Sequence, residues 1–357
     1  MMGKLILSDG TTMVGESFGA TLSTSGEVVF NTGMVGYPES FTDPSYFGQI
    51  LVLTYPLVGN YGVPKKDFWE SKKIQVKGLI VQNYINNPSH FESEKTLGQW
   101  LKEEGIPALQ GVDTRKLTIK LREHGVMLGR IVISHQLSAI RQYDPNSENV
   151  LPMVSTEKIE VYGRGNKNIV LIDCGVKENI LRSLVKRKVR VTRVPWNFNP
   201  LKFMDSRIRG NDRVDFDGVV VSNGPGDPKQ AGETIKNVKE VLRKGIPIFG
   251  ICLGSQILAL AAGGDTYKLK FGHRGQNQPV QDVTNKKAII TSQNHGFAVD
   301  MKSMSSEWVE WFVNLNDGTN EGIRHKSKPF LAVQFHPEAS PGPVDAGYLF
   351  DEFLDYL

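Results

Sequence analysis

Gly250-Ile251-Cys252-Leu253-Gly254 joins an apolar run typical of a buried strand, residues 247–251, to an apolar helical pattern over residues 255–262. A chain that turns this sharply from strand to helix leaves room only for small residues beside the turn, and Gly250 and Gly254 provide them. The pentapeptide therefore has the form of a nucleophile elbow, with Cys252 at a helix N-terminus that favours its thiolate. Taken alone, it is equally consistent with a buried structural cysteine in a tight turn.

Strands alternate with helices on both sides of this turn. Such alternating units predict an α/β domain, over residues 168–357, with a mostly parallel sheet flanked by helices. The patterns that indicate it are apolar strand runs at 169–172, 189–194 and 219–221 and helical periods at 177–187 and 234–244.

The chain before residue 155 has a different character. Short alternating or β-branched runs dominate it, and helical period appears mainly at 97–104 and 113–124. A β-rich α+β domain is therefore expected over residues 1–155. The polar stretch 155–167 is the predicted boundary.

Composition narrows the classes of function. The chain has 357 residues, of which 39% are hydrophobic, so two domains are the default expectation. Its net charge of +4 is too small to indicate a nucleic-acid or membrane partner, and residues 1–10 contain neither a signal peptide nor a membrane span, which predicts a cytoplasmic protein. Two cysteines in a chain of this length exclude a disulfide framework.

A cysteine nucleophile needs a base and an orienting acid, and Phe335-His336-Pro337-Glu338 can provide both. The segment follows the apolar run 330–333, so His336 and Glu338 are expected at a strand end. Glu338 could fix the imidazole tautomer, as the acid of a catalytic triad does. Without the elbow, a strand ended by proline with an exposed His and Glu would be the better interpretation.

Ser222-Asn223-Gly224-Pro225-Gly226-Asp227-Pro228 follows another predicted strand. Its glycines allow a backbone amide to approach a reacting carbonyl closely. An oxyanion hole would combine the amide of Leu253 with that of Gly224. A generic turn is the competing interpretation, and a phosphate-binding loop is disfavoured because no Lys-Ser or Lys-Thr pair closes the segment.

These three segments, in this order, resemble the signature of the class I, or triad, glutamine amidotransferases. The resemblance covers about residue 169 to the C-terminus and implies a Cys252, His336 and Glu338 triad. Because His295 lacks the neighbouring carboxylate that His336 has, we expect it to have a packing or hydrogen-bonding role and not to be the base of the triad that the resemblance implies. The glutamine-binding residues that it implies in this domain are Gly224, Gly226, Leu253, Gln256, Asn294, Gly296 and Phe297.

The first domain resembles that of a narrower family, the small subunits of carbamoyl phosphate synthetase. This resemblance carries Ser45 over as a residue that reaches the bound glutamine from the first domain. The segments that carry it are Gly36-Tyr37-Pro38-Glu39, Thr42-Asp43-Pro44-Ser45-Tyr46, Tyr55-Pro56, Gly59-Asn60, Val112-Asp113-Thr114-Arg115 and, at the start of the second domain, Asp173 to Arg182.

The resemblance implies a glutamine-hydrolysing carbamoyl-phosphate synthase subunit. Its substrate is L-glutamine, and its ammonia goes to a large synthetase subunit that makes carbamoyl phosphate from bicarbonate and ATP for arginine and pyrimidine synthesis. No cofactor and no metal site are expected in this chain, whereas ATP and Mg2+ are expected on the large subunit. Two alternatives remain, the amidotransferase component of another pathway and a catalytically silent regulatory subunit.

Three features depart from the family pattern. Ser255 stands where the family usually has histidine, and Cys174 stands where it usually has an aromatic residue. Cys174 has no assignable base and acid, so a second nucleophile is disfavoured. The connection between 197 and 217 is long, and its polar, basic part at 206–213 is interpreted as a surface insertion.

Overall fold

The structure, a computed structural model, describes residues 1–133, 141–204 and 215–357. These residues form two compact units, Met1–Glu148 and Asn149–Leu357. The predicted insertion at 206–213 lies outside the described residues. In the described part of the chain, no helix is long and apolar enough to cross a membrane.

The first unit is β-rich, as predicted. Its strands are β1 (Met2–Leu7), β2 (Thr12–Ser17), β3 (Thr24–Asn31), β4 (Gln49–Leu53), β5 (Leu57–Val58), β6 (Gly78–Ile80), β7 (Asn83–Tyr84), β8 (Ala108–Gln110) and β9 (Met127–Val132), and its helices are α1 (Tyr37–Thr42), α2 (Leu97–Glu103) and α3 (Thr114–His124). A closed barrel forms in the order β1-β2-β8-β6-β4-β3-β9, while β5 pairs with β7.

Helix α2 shows how sequence fixes local structure in this unit. The helix begins at a capping box, in which the Thr96 hydroxyl accepts a hydrogen bond from the Gln99 amide and the Gln99 side chain accepts one from the Thr96 amide. Trp100 on its buried face packs against Trp69 and Phe41. The spacing of Leu97, Trp100 and Leu101, all fully buried, therefore produces one core-facing stripe.

The second unit is an α/β domain, which confirms the predicted fold class. Its strands are β10 (Glu160–Tyr162), β11 (Asn168–Asp173), β12 (Arg190–Pro195), β13 (Gly218–Val221), β14 (Ile248–Ile251), β15 (Asp265–Asp282), β16 (Ala288–Asp300), β17 (Trp308–Asn314), β18 (Asn320–His325) and β19 (Phe330–Val333), and its helices are α4 (Glu178–Lys186), α5 (Gly232–Lys244), α6 (Leu253–Ala261) and α7 (Tyr348–Leu354). The strands form one sheet in the order β10-β12-β11-β13-β14-β19-β18-β17-β15-β16.

This sheet is mixed, because only its centre is parallel. Strands β12, β11, β13, β14 and β19 pair in parallel, whereas β18, β17, β15 and β16 form antiparallel pairs. The antiparallel half has polar, partly exposed strands with bulges in β15, so it lacks the apolar runs that identify the central strands. Strand β10, in the stretch predicted as a boundary, pairs with β12 and thereby extends this sheet.

Alternate residues of the central strands are buried on opposite faces of the sheet. In β11, Ile169 and Leu171 belong to one apolar core, and Val170 and Ile172 belong to the other. Burial on both faces explains the continuous apolar runs in the sequence. The segments that follow β11, β13, β14 and β19 all start at the carboxyl edge of this parallel sheet, where open α/β folds bind ligands.

Candidate active site

The elbow after β14 has the predicted geometry. Cys252 has a positive φ of 53° and a ψ of −105° and precedes helix α6. A Cβ atom on Gly250 would lie 2.5 Å from the Gly254 carbonyl oxygen, and one on Gly254 would lie 2.1 Å from the Val221 carbonyl oxygen. Both glycines are thus required for close backbone approach. A non-glycine residue at positive φ costs conformational free energy, and such residues cluster at functional sites.

The chain after β19 holds His336 and Glu338 beside the elbow. The Cys252 amide donates a hydrogen bond of 2.8 Å to the carbonyl of Val333, the last residue of β19. His336 Nδ1 lies 2.7 Å from Glu338 Oε1, and both side chains are buried. Burial by itself would lower the pKa of His336, but the Glu338 carboxylate and the Cys252 sulfur raise it to about 10.

The second ring nitrogen of His336 remains available for the thiol. Within the described residues, His336 Nε2 is buried and has no hydrogen-bond partner. The Cys252 sulfur lies 3.7 Å from the main-chain carbonyl of Asn294 and interacts electrostatically with the His336 ring. The structure therefore brings the three predicted catalytic residues together, with the carboxylate behind the ring.

Lys177 is a fourth member of this cluster that the sequence analysis missed. Its buried ammonium donates hydrogen bonds to Glu338 Oε1, at 3.0 Å, and to the Ala339 carbonyl. Burial alone would raise the pKa of Glu338, but Lys177 and His336 lower it to about 2. Glu338 is therefore an anion held between two cationic partners. The sequence did contain a signal for Lys177, because this lysine lies between the apolar strand β11 and helix α4, at the carboxyl edge of the sheet.

The 222–228 turn lies against the elbow. A Cβ atom on Gly224 would lie 2.1 Å from the Cys174 carbonyl oxygen and 2.7 Å from the Leu253 side chain. Gly226 has a φ of 84°, which glycine adopts at little cost. Leu253 is the first residue of α6, so its amide has no acceptor within the helix. This packing supports the Gly224 and Leu253 amides as oxyanion donors, an assignment that remains a proposal.

The other predicted glutamine contacts of this unit lie on α6 and β16. Gln256 donates hydrogen bonds to the Phe297 carbonyl, at 2.8 Å, and to Gln334 Oε1, at 3.0 Å. Because its amide nitrogen is used in this way, Gln256 would contact glutamine through its Oε1 atom. A Cβ atom on Gly296 would meet only the end of the Arg274 side chain, at 3.2 Å. Asn294 contributes the carbonyl that faces Cys252.

Ser45 belongs to the first unit, in a short 3-10 helix, Pro44–Tyr46. It is buried, and its amide donates a hydrogen bond of 2.9 Å to Asp43 Oδ1. Its contact with glutamine remains a prediction.

Cys174 has the environment of a structural cysteine. It is fully buried, and its amide donates a hydrogen bond of 2.9 Å to Ser222 Oγ. Burial, followed by the neighbouring Asp173 charge, raises the pKa of its thiol well above the usual range. A neutral thiol is a poor nucleophile, which agrees with its predicted exclusion from catalysis.

The prediction that His295 lacks a neighbouring carboxylate is wrong. A carboxylate does lie near it, because Glu321 on β18 comes within 3.7 Å of His295 Nε2. Sequence distance concealed this pair, which the antiparallel half of the sheet creates. The predicted hydrogen-bonding role itself holds, since Nδ1 lies 2.8 Å from the Phe297 carbonyl oxygen.

Comparisons with known families match both parts of the chain. Residues 170–356 match the family described as Glutamine amidotransferase class-I. Residues 5–131 match the family described as Carbamoyl-phosphate synthase small chain, CPSase domain.

Individual relatives match over nearly the whole chain. The Carbamoyl phosphate synthase arginine-specific small chain of Neurospora crassa is 47% identical, covering 98% of this chain and 78% of the relative. The human protein named Carbamoyl-phosphate synthase [ammonia], mitochondrial is also 47% identical, and the Multifunctional protein CAD of Squalus acanthias is 50% identical, each over 99% of this chain. The chain spans only 23% of the human protein and 16% of the shark protein.

Proposed function

The chain belongs to the carbamoyl-phosphate synthase small-chain family, with a class I glutamine amidotransferase domain, and from this premise we propose that it hydrolyses glutamine to supply ammonia for carbamoyl phosphate synthesis. The observation that carries the proposal is the elbow at Cys252 next to the buried His336 and Glu338 pair. Family membership alone does not establish glutamine hydrolysis, because the name of the human relative with 47% identity gives ammonia as its nitrogen source.

The first half of the reaction forms a thioester. The Cys252 thiolate attacks the side-chain amide carbon of glutamine, and the amides of Leu253 and Gly224 stabilise the resulting oxyanion. His336, as imidazolium, donates its Nε2 proton to the leaving nitrogen, so that the C–N bond breaks and ammonia departs. The product is a glutamyl thioester on Cys252.

The second half releases glutamate. Neutral His336 now takes a proton from water, whose oxygen attacks the thioester carbon, and the C–S bond breaks. The raised pKa of His336 suits the acid step, and the low pKa of Glu338 keeps a negative charge beside the ring throughout. Lys177 keeps that carboxylate in place.

The ammonia acceptor in this proposal is a separate large synthetase subunit. That subunit would bind ATP and Mg2+ and convert bicarbonate and ammonia to carbamoyl phosphate, while this chain needs no cofactor for hydrolysis. The match of residues 5–131 to the small-chain domain supports such a partner. Arginine synthesis is the better supported pathway, because the small-chain relatives of comparable length are named arginine-specific.

Activity of the complex with two nitrogen donors tests the proposal. Cys252→Ala should abolish carbamoyl phosphate synthesis from glutamine and preserve synthesis from added ammonia, because only the nucleophile is removed. Cys174→Ala is the matched control and should keep both activities. Unchanged glutamine-dependent synthesis by Cys252→Ala would contradict the assignment of the nucleophile. No glutamine-dependent synthesis by the wild-type complex, with synthesis from ammonia intact, would favour a catalytically silent subunit.

A further inference from the structure

Ser222, the first residue of the 222–228 turn, has a fully buried hydroxyl that is fixed on both sides. The Cys174 amide donates a hydrogen bond of 2.9 Å to Ser222 Oγ, and the hydroxyl donates one of 2.8 Å to the carbonyl oxygen of Asn223. An amide N–H can only donate and a carbonyl oxygen can only accept, so the hydroxyl proton lies on the side of Asn223. The direction of both hydrogen bonds is therefore determined.

The second of these hydrogen bonds fixes the direction of the Gly224 amide. The carbonyl of Asn223 and the N–H of Gly224 belong to one peptide unit, which is planar and trans, so the two groups point in opposite directions. A hydroxyl that holds the carbonyl oxygen therefore also holds the N–H. Without the hydroxyl, this peptide plane would be free to rotate about the bonds on either side of it, and the N–H would turn with it.

A hydrogen-bonded segment before helix α4 supports this arrangement. Asp173 is fully buried, and its Oδ1 atom accepts hydrogen bonds from the Gly175 and Val176 amides, at 2.9 and 2.8 Å. The Lys177 amide donates one of 2.9 Å to Asn223 Oδ1, so this segment holds the side chain of Asn223 as well. The turn is therefore bound to the segment at more than one point.

The Gly224 N–H is the donor that this arrangement leaves available. Among the described residues, 1–133, 141–204 and 215–357, none accepts a hydrogen bond from it. A Cβ atom on Gly224 would lie 2.7 Å from the side chain of Leu253, the residue after the nucleophile, so the turn lies against the elbow. An oxyanion hole requires such a donor, held in one direction before the reaction begins.

We propose that Ser222 is a positioning residue for glutamine hydrolysis, because its hydroxyl holds the Asn223–Gly224 peptide with the Gly224 N–H directed at the oxyanion that forms on the glutamine side chain. The inference rests on the proposed function, and it assigns Ser222 neither a contact with glutamine nor a proton transfer. An oxyanion forms twice, when Cys252 attacks the amide and when water attacks the thioester. Ser222 therefore affects both half-reactions by a similar factor.

The kinetic effect of removing the hydroxyl follows in size and in kind. Complete loss of one oxyanion donor costs about 10²–10³-fold in kcat. Ser222→Ala keeps the donor but frees its peptide plane, so kcat for glutamine hydrolysis should fall by roughly 10–100-fold. KM for glutamine should change by less than about twofold, because the affected interaction forms only in the transition state. A loosened substrate site would raise KM instead.

Initial rates of glutamate release by the full chain, alone and in its complex, test the inference. Ser303→Ala is the matched control, because the Ser303 hydroxyl also accepts from an amide, that of Asp265 at 2.7 Å, and donates to a carbonyl, that of Asp300 at 2.6 Å, outside the proposed site. Its kcat and KM should equal those of wild type. Iodoacetamide alkylates a thiolate without forming an oxyanion, so mass spectrometry should show Cys252 alkylated at the wild-type rate in Ser222→Ala.

The outcomes separate the inference from the proposed function. A wild-type kcat in folded Ser222→Ala, a rise in KM in place of the fall in kcat, or an equal loss in the alkylation rate would overturn the role of Ser222 alone. If Ser222→Ala fails to fold, Ser222→Cys takes its place, since a thiol is a weak donor, and an unchanged kcat there would also overturn it. No glutamate release by the wild-type complex would overturn the proposed function and this inference together.

Discussion

Replacing Lys177 with methionine tests whether the buried ion pairs that join Lys177, Glu338 and His336 depend on one another for stability and for catalysis at Cys252. The substitution keeps the length of the side chain and removes the cation that lies 3.0 Å from Glu338 Oε1. At an effective dielectric constant of about 20, that attraction amounts to roughly 5 kcal/mol. Removing one member of a buried pair typically costs about 3–5 kcal/mol, because the partner charge stays buried without compensation.

Stability should therefore fall measurably. For a unit of this size, each kcal/mol corresponds to about 2–4 °C, so the melting temperature should fall by roughly 6–20 °C. Lys186→Met, at an exposed position of the helix α4 that follows Lys177, is the control and should change the melting temperature by less than about 2 °C. Adding Glu338→Gln to Lys177→Met should restore part of the lost stability, since it removes the uncompensated carboxylate.

The pH dependence of the free energy of unfolding supplies a second readout, and the direction of its change can be predicted. The lowered pKa of Glu338 means that its contribution to stability is complete above the ordinary value of 4.5 and disappears as the pH falls to about 2. Without Lys177 the folded-state pKa rises, so less stability remains for acid to remove.

Activity should fall together with stability, because Glu338 orients His336. A displacement of about 1 Å at reacting groups can cost about a hundredfold. Initial rates of glutamate release, measured by a coupled dehydrogenase assay at a temperature where each variant is folded, would show the loss. A Lys177→Met protein with wild-type stability and rate would refute the idea that this lysine supports the triad.

Results for four further variants are expected. His336→Asn should reduce glutamine hydrolysis by about 10²–10⁴-fold, and equal rates for this variant and wild type would sink the triad assignment. Glu338→Gln should reduce hydrolysis less, since the glutamine oxygen can still accept from Nδ1, but it should lower the melting temperature because it removes the carboxylate charge beside the buried Lys177 ammonium. Ser255→Ala should be neutral or should raise stability by about 1 kcal/mol, because the Ser255 hydroxyl is buried with no partner in the described part of the chain, and a clear loss in urea denaturation would show an unseen partner. Deleting 206–213 should leave melting temperature and glutaminase rate almost unchanged, and a large fall in melting temperature would show that the segment packs.

Local patterns predicted the parts of the site that are contiguous in sequence. The elbow at Cys252, the 222–228 turn and the His336 and Glu338 pair each occupy a few consecutive residues, so each could be recognised in the sequence and their combination interpreted. The contacts that require Gly224 and Gly254 are not local, because they are made with the Cys174 and Val221 carbonyl oxygens. The central strands were identified for the same reason, because burial on both faces produces uninterrupted apolar runs.

Contacts created by the sheet topology could not be predicted in this way. Lys177 meets Glu338 only because β11 and β19 end at the same edge of the sheet, with two strands between them. Glu321 meets His295 only after the antiparallel half folds. That half has a partly polar surface and bulged strands, which weaken the periodic signal on which sequence interpretation depends.

The central claim is that Cys252 carries a glutamyl thioester during hydrolysis, and rapid quenching followed by mass spectrometry tests it most directly. Wild-type chain, or its complex, is mixed with labelled glutamine, stopped in acid within one turnover and digested. The proposal predicts labelled glutamyl on the peptide that contains Cys252, none in Cys252→Ala, and an unchanged amount in Cys174→Ala. Glutamate released at a normal rate with no label on that peptide at any time, or with label on another residue, would contradict it.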